Sequence, residues 1–261
     1  MTSKLQMPEP FASDGPQAPL KINTIGWHLI VSDIHIPHFD KVVLEQAFKE
    51  GKRKKVKSVF FNGDILDCHA LSRHVKHKKA HDYSREVDLG DELMAYTRQQ
   101  FPDAMIYFKK GNHEERMSVY MQEKAKELSE LKALQLRNQL QFDKHRITEV
   151  EDRRVVRYGK LNIVHGHEFG PGGGVNPARW LFLKACQVVM CGHFHRTSEH
   201  FDRNINDYHN ACWSVGCMCD LHPFWNPLNK WNHGFATVEL TGEDGGDFHV
   251  ENHRVIKGKI V

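Results

Sequence analysis

Five tight clusters of Asp, His, Asn and Gly recur along this 261-residue chain. They are Asp33-Ile-His35, Asn62-Gly63-Asp64 with Asp67 three residues on, Gly111-Asn112-His113-Glu114, His165-Gly166-His167-Glu168 and Gly192-His193-Phe194-His195. Such residues suit a pair of divalent ions. Two ions side by side require several hard oxygen and nitrogen ligands and at least one group shared between them. An Asp carboxylate is a natural bridge because it carries charge and two oxygens, while imidazole and amide oxygen complete the shells. In an extended segment alternate residues point the same way, so Asp33 and His35 can reach one ion, and the same holds for His193 and His195. Glycines beside the ligands let backbone come close and supply unusual φ values. A lone histidine in a strand is usually structural. His35, His165, His193 and His195 together, each just past an apolar run, are not explained that way.

The apolar runs that precede the clusters have the length and β-branched content of buried strands: 27–32, 56–61, 104–109, 160–165 and 187–192. Residues 40–54 place Val43, Leu44, Ala47 and Phe48 at helical spacing, and 115–141 read as one long or two shorter helices with Leu128, Leu131, Leu134 and Leu136 as core candidates. Residues 153–157 read as a strand turning through Gly159, and three β-like segments follow residue 200. Strands alternating with helices predict an α/β architecture with the strands feeding one sheet. In such sheets ligands bind beyond the carboxyl ends of the strands, where all five clusters sit. The expected organisation is a flexible N-terminal arm over 1–24 and a single domain over 25–261, carrying a basic, His-rich cap insertion around 68–90.

Taken in order, D-x-H at 33–35, G-D-x-x-D at 63–67, G-N-H-E at 111–114, H-G-H at 165–167 and G-H-x-H at 192–195 resemble the calcineurin-like metallophosphoesterase superfamily. The compact phosphoesterases of bacterial and phage genomes are similar in this respect. The resemblance covers roughly residues 27–200. It implies a four-layer α/β/β/α sandwich of two mixed sheets. It further implies that Asp33, His35 and His195 bind one metal ion, that Asn112, His165 and His193 bind a second, and that Asp64 bridges them. His113 then contacts phosphate and protonates the leaving oxygen, and Asp67 orients His113 or a loop; the resemblance does not settle His167, which is expected behind the ligands. Asn112, His113 and Arg116 are the implied substrate contacts. The chemistry implied is phosphoester hydrolysis by a hydroxide shared between two divalent ions, manganese first, with iron, nickel or zinc as alternatives.

The rest of the chain narrows the classes. A net charge of +3 is far from the basic excess of a dedicated nucleic-acid binder. No apolar stretch approaches the ~20 residues of a membrane helix, and the N-terminus lacks the apolar core of a signal peptide, so a cytoplasmic protein without membrane contact is expected. The six cysteines do not form a disulfide framework. Cys212, Cys217 and Cys219 read as buried thiols rather than a soft-metal site. The run Lys52–Lys55 reads as a solvated helix end. A second run, Arg73–Lys79, falls on the metal side and suits a polyanion such as DNA, RNA or a nucleotide. Asn176 and Pro177 mark a helix start that could meet phosphate, and Trp213, Phe224, Trp225 and Trp231 read as packing rather than base stacking. The expected activity is that of a phosphodiesterase, nuclease activity included. A nucleotide or protein phosphatase is the alternative within the class, and a non-catalytic protein-binding scaffold the alternative outside it.

Overall fold

The computed structural model of the protein describes residues 15, 17–73, 82–151, 153–242 and 246–261. Its elements, in chain order, begin with β1 (Leu20–Ile22), β2 (Gly26–Val31), α1 (Lys41–Arg53), β3 (Ser58–Asn62), α2 (Tyr83–Gln100), β4 (Met105–Lys109), α3 (Glu115–Lys124), α4 (Leu136–Gln139), α5 (Phe142–His145) and β5 (Ile147–Val150). They continue with β6 (Val156–Tyr158), β7 (Leu161–Ile163), α6 (Pro177–Ala185), β8 (Val189–Cys191), β9 (Ser198–Arg203), β10 (His209–Ser214), β11 (His233–Leu240), β12 (Phe248–Ile256) and β13 (Lys259–Ile260).

Two mixed sheets face one another. The larger has the order β13-β12-β11-β2-β3-β4-β5 and the smaller β1-β6-β7-β8-β10-β9. Alternation along the strands explains the layering. Leu29, Val31, Val59, Phe61, Ile106 and Phe108 pack on one face of the larger sheet against Val43, Leu44, Ala47 and Phe48 of α1 and Met94 of α2. Their neighbours Ile30 and Phe60 point the other way, into a core shared with Val156, Tyr158, Leu161, Ile163 and Met190 of the smaller sheet. Ala178 and Leu181 of α6 cover the outer face of that sheet beside Val189, Cys191 and Cys212. Three apolar interfaces thus separate four layers, α/β/β/α, as the resemblance implied.

The helix starts are fixed locally. Asp40 accepts from the Val42 and Val43 N–H groups at 2.9 and 3.1 Å at the head of α1. Asn176 accepts from Arg179 N at 2.9 Å, with Pro177 opening α6.

Several expectations need correction. The five apolar runs feed two sheets rather than one, because β7 and β8 belong to the smaller sheet. Residues 20–22 of the expected arm are a strand: Leu20–Ile22 pairs in parallel with Val156–Tyr158, and Ile22 is buried. The cap expected at 68–90 is partly helical, since α2 begins at Tyr83, while 74–81 lie outside the described residues. Helix α3 ends at Lys124, and Leu128 and Leu131 are 45% and 50% exposed, so neither serves the core. Lys54 is not solvated: its ammonium meets Glu251 at 2.8 Å over the ring of Trp27, which buries the stem.

Candidate metal centre

Every cluster singled out in the sequence lies at one edge of the two sheets. Asp33 and His35 follow β2, Asp64 and Asp67 follow β3, and Asn112 and His113 follow β4. His165 follows β7, and His193 and His195 follow β8. The larger sheet therefore supplies the carboxylates, Asn112 and His35, and the smaller sheet supplies the remaining imidazoles.

Asp64 stands at the middle. Its Oδ2 is 3.9 Å from His35 Nε2 and 3.2 Å from His165 Nε2. On one side, His195 Nε2 lies 3.2 Å from Asp33 Oδ1 and 3.1 Å from His35 Nε2. On the other, the ligand atoms of Asp64, His165 and His193 all fall within 4.8 Å of one another. Asp64 is thus shared by two clusters of donors. His193 and His195 face different clusters, against the expectation from their spacing. The reason is backbone conformation: Asp33, His35, Asp64, His193 and His195 all have φ between 50° and 67°. Residues in that left-handed region do not alternate as a strand does, and five of them in one site represent local strain concentrated where side chains must converge.

The donors are aimed by their hydrogen bonds. His165 Nδ1–H donates to the Asn62 carbonyl at 2.7 Å, which turns Nε2 toward the cluster. Asn112 Oδ1 is buried and makes no hydrogen bond, and His165 Nε2 has only the Asp64 carboxylate before it, at 3.2 Å; an orphaned buried oxygen is costly unless a ligand takes its lone pair. His35 Nδ1–H donates to Asp67 Oδ1 at 3.1 Å, leaving its Nε2 inward. His193 N–H donates to both Asp33 oxygens, at 3.1 and 2.9 Å. Glu114, fully enclosed, accepts from the N–H groups of Asp64, Ile65, Leu66 and Gly111 at 2.6–3.0 Å and so ties the two ligand loops together. Two carboxylates, four imidazoles and one amide oxygen converge with the Cys219 thiol at their edge, and this largely hard set fits a pair of divalent ions.

The buried carboxylates and imidazoles hold one another's charge. Burial works against charge on Asp33, yet His195 and then His165 hold its carboxyl down to about 2. Burial likewise opposes charge on His165 and His195, but Asp64 for the first and Asp33 for the second raise each to about 10. For His193, burial and the nearby His165 outweigh Asp64 and Asp33 and lower it to about 4. Asp67, although buried, is kept well below the usual carboxylate range by hydrogen bonds from His113 and His35.

A cavity of about 410 Å³ opens onto the clusters. His35, Asp64, Asp67, Asn112, His113, Arg116, His193 and His195 all border it, while Asp33 and His165 lie behind them, buried. His113 Nδ1–H donates to the Asp67 carbonyl at 2.8 Å, so Nε2 turns away from it, and Arg116 Nη2 approaches that atom at 2.9 Å.

A family model for calcineurin-like phosphoesterases matches residues 28–197, which span all five clusters. The chain belongs to the calcineurin-like phosphoesterase family. Family membership implies a dinuclear divalent centre and a metal-dependent phosphoester hydrolase, and the donor geometry above accommodates both ions. Among solved structures, Vacuolar Protein Sorting 29 from Cryptosporidium parvum is similar at 13% identity and a TM-score of 0.46, covering 91% of this chain and 96% of that one. A single mutant of the Entamoeba histolytica counterpart gives 12%, 0.45, 90% and 96%. A dimetal phosphatase from Danio rerio gives 10%, 0.39, 87% and 99%. No curated protein matches.

Other expectations resolve in detail. In this phosphoesterase His167 sits behind the cavity, its ring 5.3 Å from that of His165 and its Nε2 bonded to Glu115 at 3.0 Å. The start of α6 does not border the cavity. Cys212 stands apart, bonded to the Gln187 carbonyl, whereas Cys217, which also reaches the Asn232 carbonyl, interacts with both Cys219 and His195. Cys219 reaches the metal edge, its Sγ 3.9 Å from His195 Nδ1. No helix among the described residues is long and apolar enough to cross a membrane. Sequence reasoning missed Glu114 as a loop tie, and it misplaced Trp225 and Trp231, which border the cavity with His38, His69 and Pro223. Only the family position of the G-N-H-E glutamate could have flagged the first, and nothing in residue order flags the others.

Proposed function

We propose that this protein is a phosphodiesterase acting through a dinuclear metal centre, with Asp33, His35 and His195 at one ion, Asn112, His165 and His193 at the other, and Asp64 between them. Manganese is the metal proposed for both positions, since the donors that converge are oxygen and imidazole apart from the Cys219 thiol beside His35 and His195. Such ions supply a hydroxide at neutral pH and neutralise phosphate oxygens.

The protein's own groups do the rest. Asp64 and Asp33 place buried negative charge where cations are to be held. Asp67 fixes the His113 ring through Nδ1, so that Nε2, once it has taken a proton from solvent to give the imidazolium, is the atom placed to pass that proton to the leaving oxygen. Arg116, anchored by Nη1 on the Asp67 carbonyl at 2.8 Å, presents its other nitrogen beside that atom. A phosphate oxygen taken up by Arg116 frees His113 Nε2 for the leaving group.

One observation favours a diester over a monoester. Among the described residues bordering the cavity there is a single arginine and no lysine, and two further carboxylates, Asp67 and Asp220, stand there. Beyond the two ions, that lining adds little further positive charge for a terminal phosphate dianion. A diester carries one negative charge and a second substituent, and Pro223, Trp225 and Trp231 give that substituent apolar surface.

The test is hydrolysis of bis-p-nitrophenyl phosphate against p-nitrophenyl phosphate, with manganese added to metal-stripped protein, for wild type and Asp64→Asn. Manganese-dependent turnover of the diester, abolished in the variant, is the expected result. Turnover of the monoester alone would replace this reading with a phosphatase. No turnover of either by metal-loaded protein would leave the scaffold.

A further inference from the structure

The segment between β10 and β11 carries a wall of aromatic rings into the metal cavity. Trp231 lies with its ring centroid 4.2 Å from that of His195. Farther out, Trp225 lies within 9° of parallel to the His69 ring, with centroids 6.3 Å apart, and His38 meets Trp225 edge-on at 5.0 Å. All four border the same cavity, yet Trp225 is 45% exposed. The indole thus keeps an open aromatic face at the cavity mouth, and covering it with a ligand would remove apolar surface from water.

The segment that holds these rings is built rather than slack. Asn229 Nδ2 donates to the Leu221 and Asn226 carbonyls, both at 2.7 Å, and Trp231 N–H donates to Asn229 Oδ1 at 2.8 Å. Asn232 Nδ2 donates to Thr197 Oγ1 at 2.7 Å. At its start, Asp220 N–H donates to the His38 carbonyl at 2.7 Å, and Phe39 bridges to Cys219. The indole of Trp225 is therefore presented at a fixed height above the centre, not swept through solvent.

We propose that Trp225, with His69 and Trp231 beside it, is the stacking surface for an unpaired nucleobase carried by the phosphoester, so that the substrate class is nucleotide esters or the ends of single strands. This rests on the hydrolase reading above and adds the substrate to it. Flat π-surfaces accept any base by stacking, with little sequence preference. His38, Ser72 and Asp220 make the neighbouring cavity rim polar. The cavity falls near the small end of the ~300–1,000 Å³ usual for small-molecule sites, which suits one nucleotide unit. A base paired within a duplex has its faces covered and cannot reach such a wall without being flipped out.

The experiment compares thymidine 5′-(p-nitrophenyl phosphate) with methyl p-nitrophenyl phosphate, which share a leaving group, in manganese-loaded wild type, Trp225→Phe and Trp225→Ala. The wild type should prefer the nucleoside ester at least tenfold in kcat/KM. That ratio should fall at least fivefold in Trp225→Ala, chiefly through KM, and largely survive in Trp225→Phe. An unchanged ratio in Trp225→Ala would overturn the base wall while leaving the hydrolase reading intact. A binding arm does not depend on turnover: calorimetry with thymidine 5′-phosphate and with ribose 5-phosphate. Tighter binding of the nucleotide, weakened in Trp225→Ala, supports the wall even if neither ester is hydrolysed, in which case the hydrolase reading alone fails. Equal binding of the two phosphates overturns it. A single-stranded oligonucleotide run beside the mononucleotide ester separates a strand end from a free nucleotide as the source of the base. Turnover of a blunt duplex as fast as the single strand would count against the proposal.

Discussion

The chemistry of this protein depends on single side chains held by single hydrogen bonds. His113 is aimed by the Asp67 carbonyl, and the Asp67 carboxylate aims His35. His113 itself needs no ion to stay in place. His113→Ala should therefore lower kcat by about a hundredfold or more while metal content, read by elemental analysis, stays at wild-type stoichiometry. Parallel loss of both would mean that His113 is a ligand and not a proton donor. Gly111 gives a sharper steric test. A Cβ there would collide with Asp64 Oδ1, crowd Asp64 N at 2.5 Å and come within 2.9 Å of His165 Nε2. Gly111→Ala should displace the shared carboxylate and lower manganese affinity at least tenfold by titration; wild-type affinity in that variant would argue that Asp64 does not sit between the ions. The ligand types were legible in the sequence because only metal chemistry explains so many Asp and His residues at strand ends. The separation of His193 from His195 was not legible. It follows from positive φ at both residues, which residue spacing does not reveal and which is common only in glycine.

At the scale of elements, helix α2 had no readable signature. Its buried positions are Glu86, Gly90, Met94 and Thr97, spaced at helical intervals but mostly not apolar. Gly90 is there because Leu66 and Leu140 press against it: a Cβ would lie 2.9 and 2.8 Å from their methyl groups. Glu86 is there because Cys68 N–H, at the turn after the G-D-x-x-D motif, donates to its carboxylate at 2.7 Å. Burial raises the Glu86 carboxyl from 4.5 to about 8, against the pull of that N–H, with Asp67 adding to the rise. The sign follows directly. Between these two values the folded chain holds a proton that the unfolded chain has released, so stability falls as pH rises through that window, by about 1.4 kcal/mol per pH unit. Glu86→Gln keeps an acceptor for Cys68 N–H and removes the ionisation. Its advantage over wild type in urea unfolding should be small at pH 4.5, grow toward pH 8 and level off above. A gap that does not change with pH would show that Glu86 is charged in the fold. The 115–141 stretch failed in the opposite way, for its leucines looked like a helix face. The chain leaves helical conformation at Ala125, with φ −153° and ψ 51°, and two tight turns follow before α4, so Leu128 and Leu131 end outside the core.

Across the whole molecule, the order of motifs announced the family, and the family implied two sheets where strand counting alone suggested one. What no count could supply is how the sheets meet at the site. Asn62, the last residue of β3, donates from Nδ2 to the Val164 carbonyl at 2.8 Å and receives His165 Nδ1–H on its own carbonyl. Ser32 Oγ–H donates to that same carbonyl at 3.0 Å. One asparagine thus joins both sheets directly behind the donors. Loading the centre with manganese should raise Tm on the order of 10 °C at a thousandfold excess over Kd, and the same gain in Asp64→Asn would place the bound ions elsewhere. The seam at Asn62 gives that gain a particular texture. Ions gripped from both sides act as a rivet through two plates, so local openings on either side become parts of one larger event. Amide hydrogen exchange in β3 and in β8 should then slow together on loading and by similar factors, turning two separately fraying edges into a single cooperative unit.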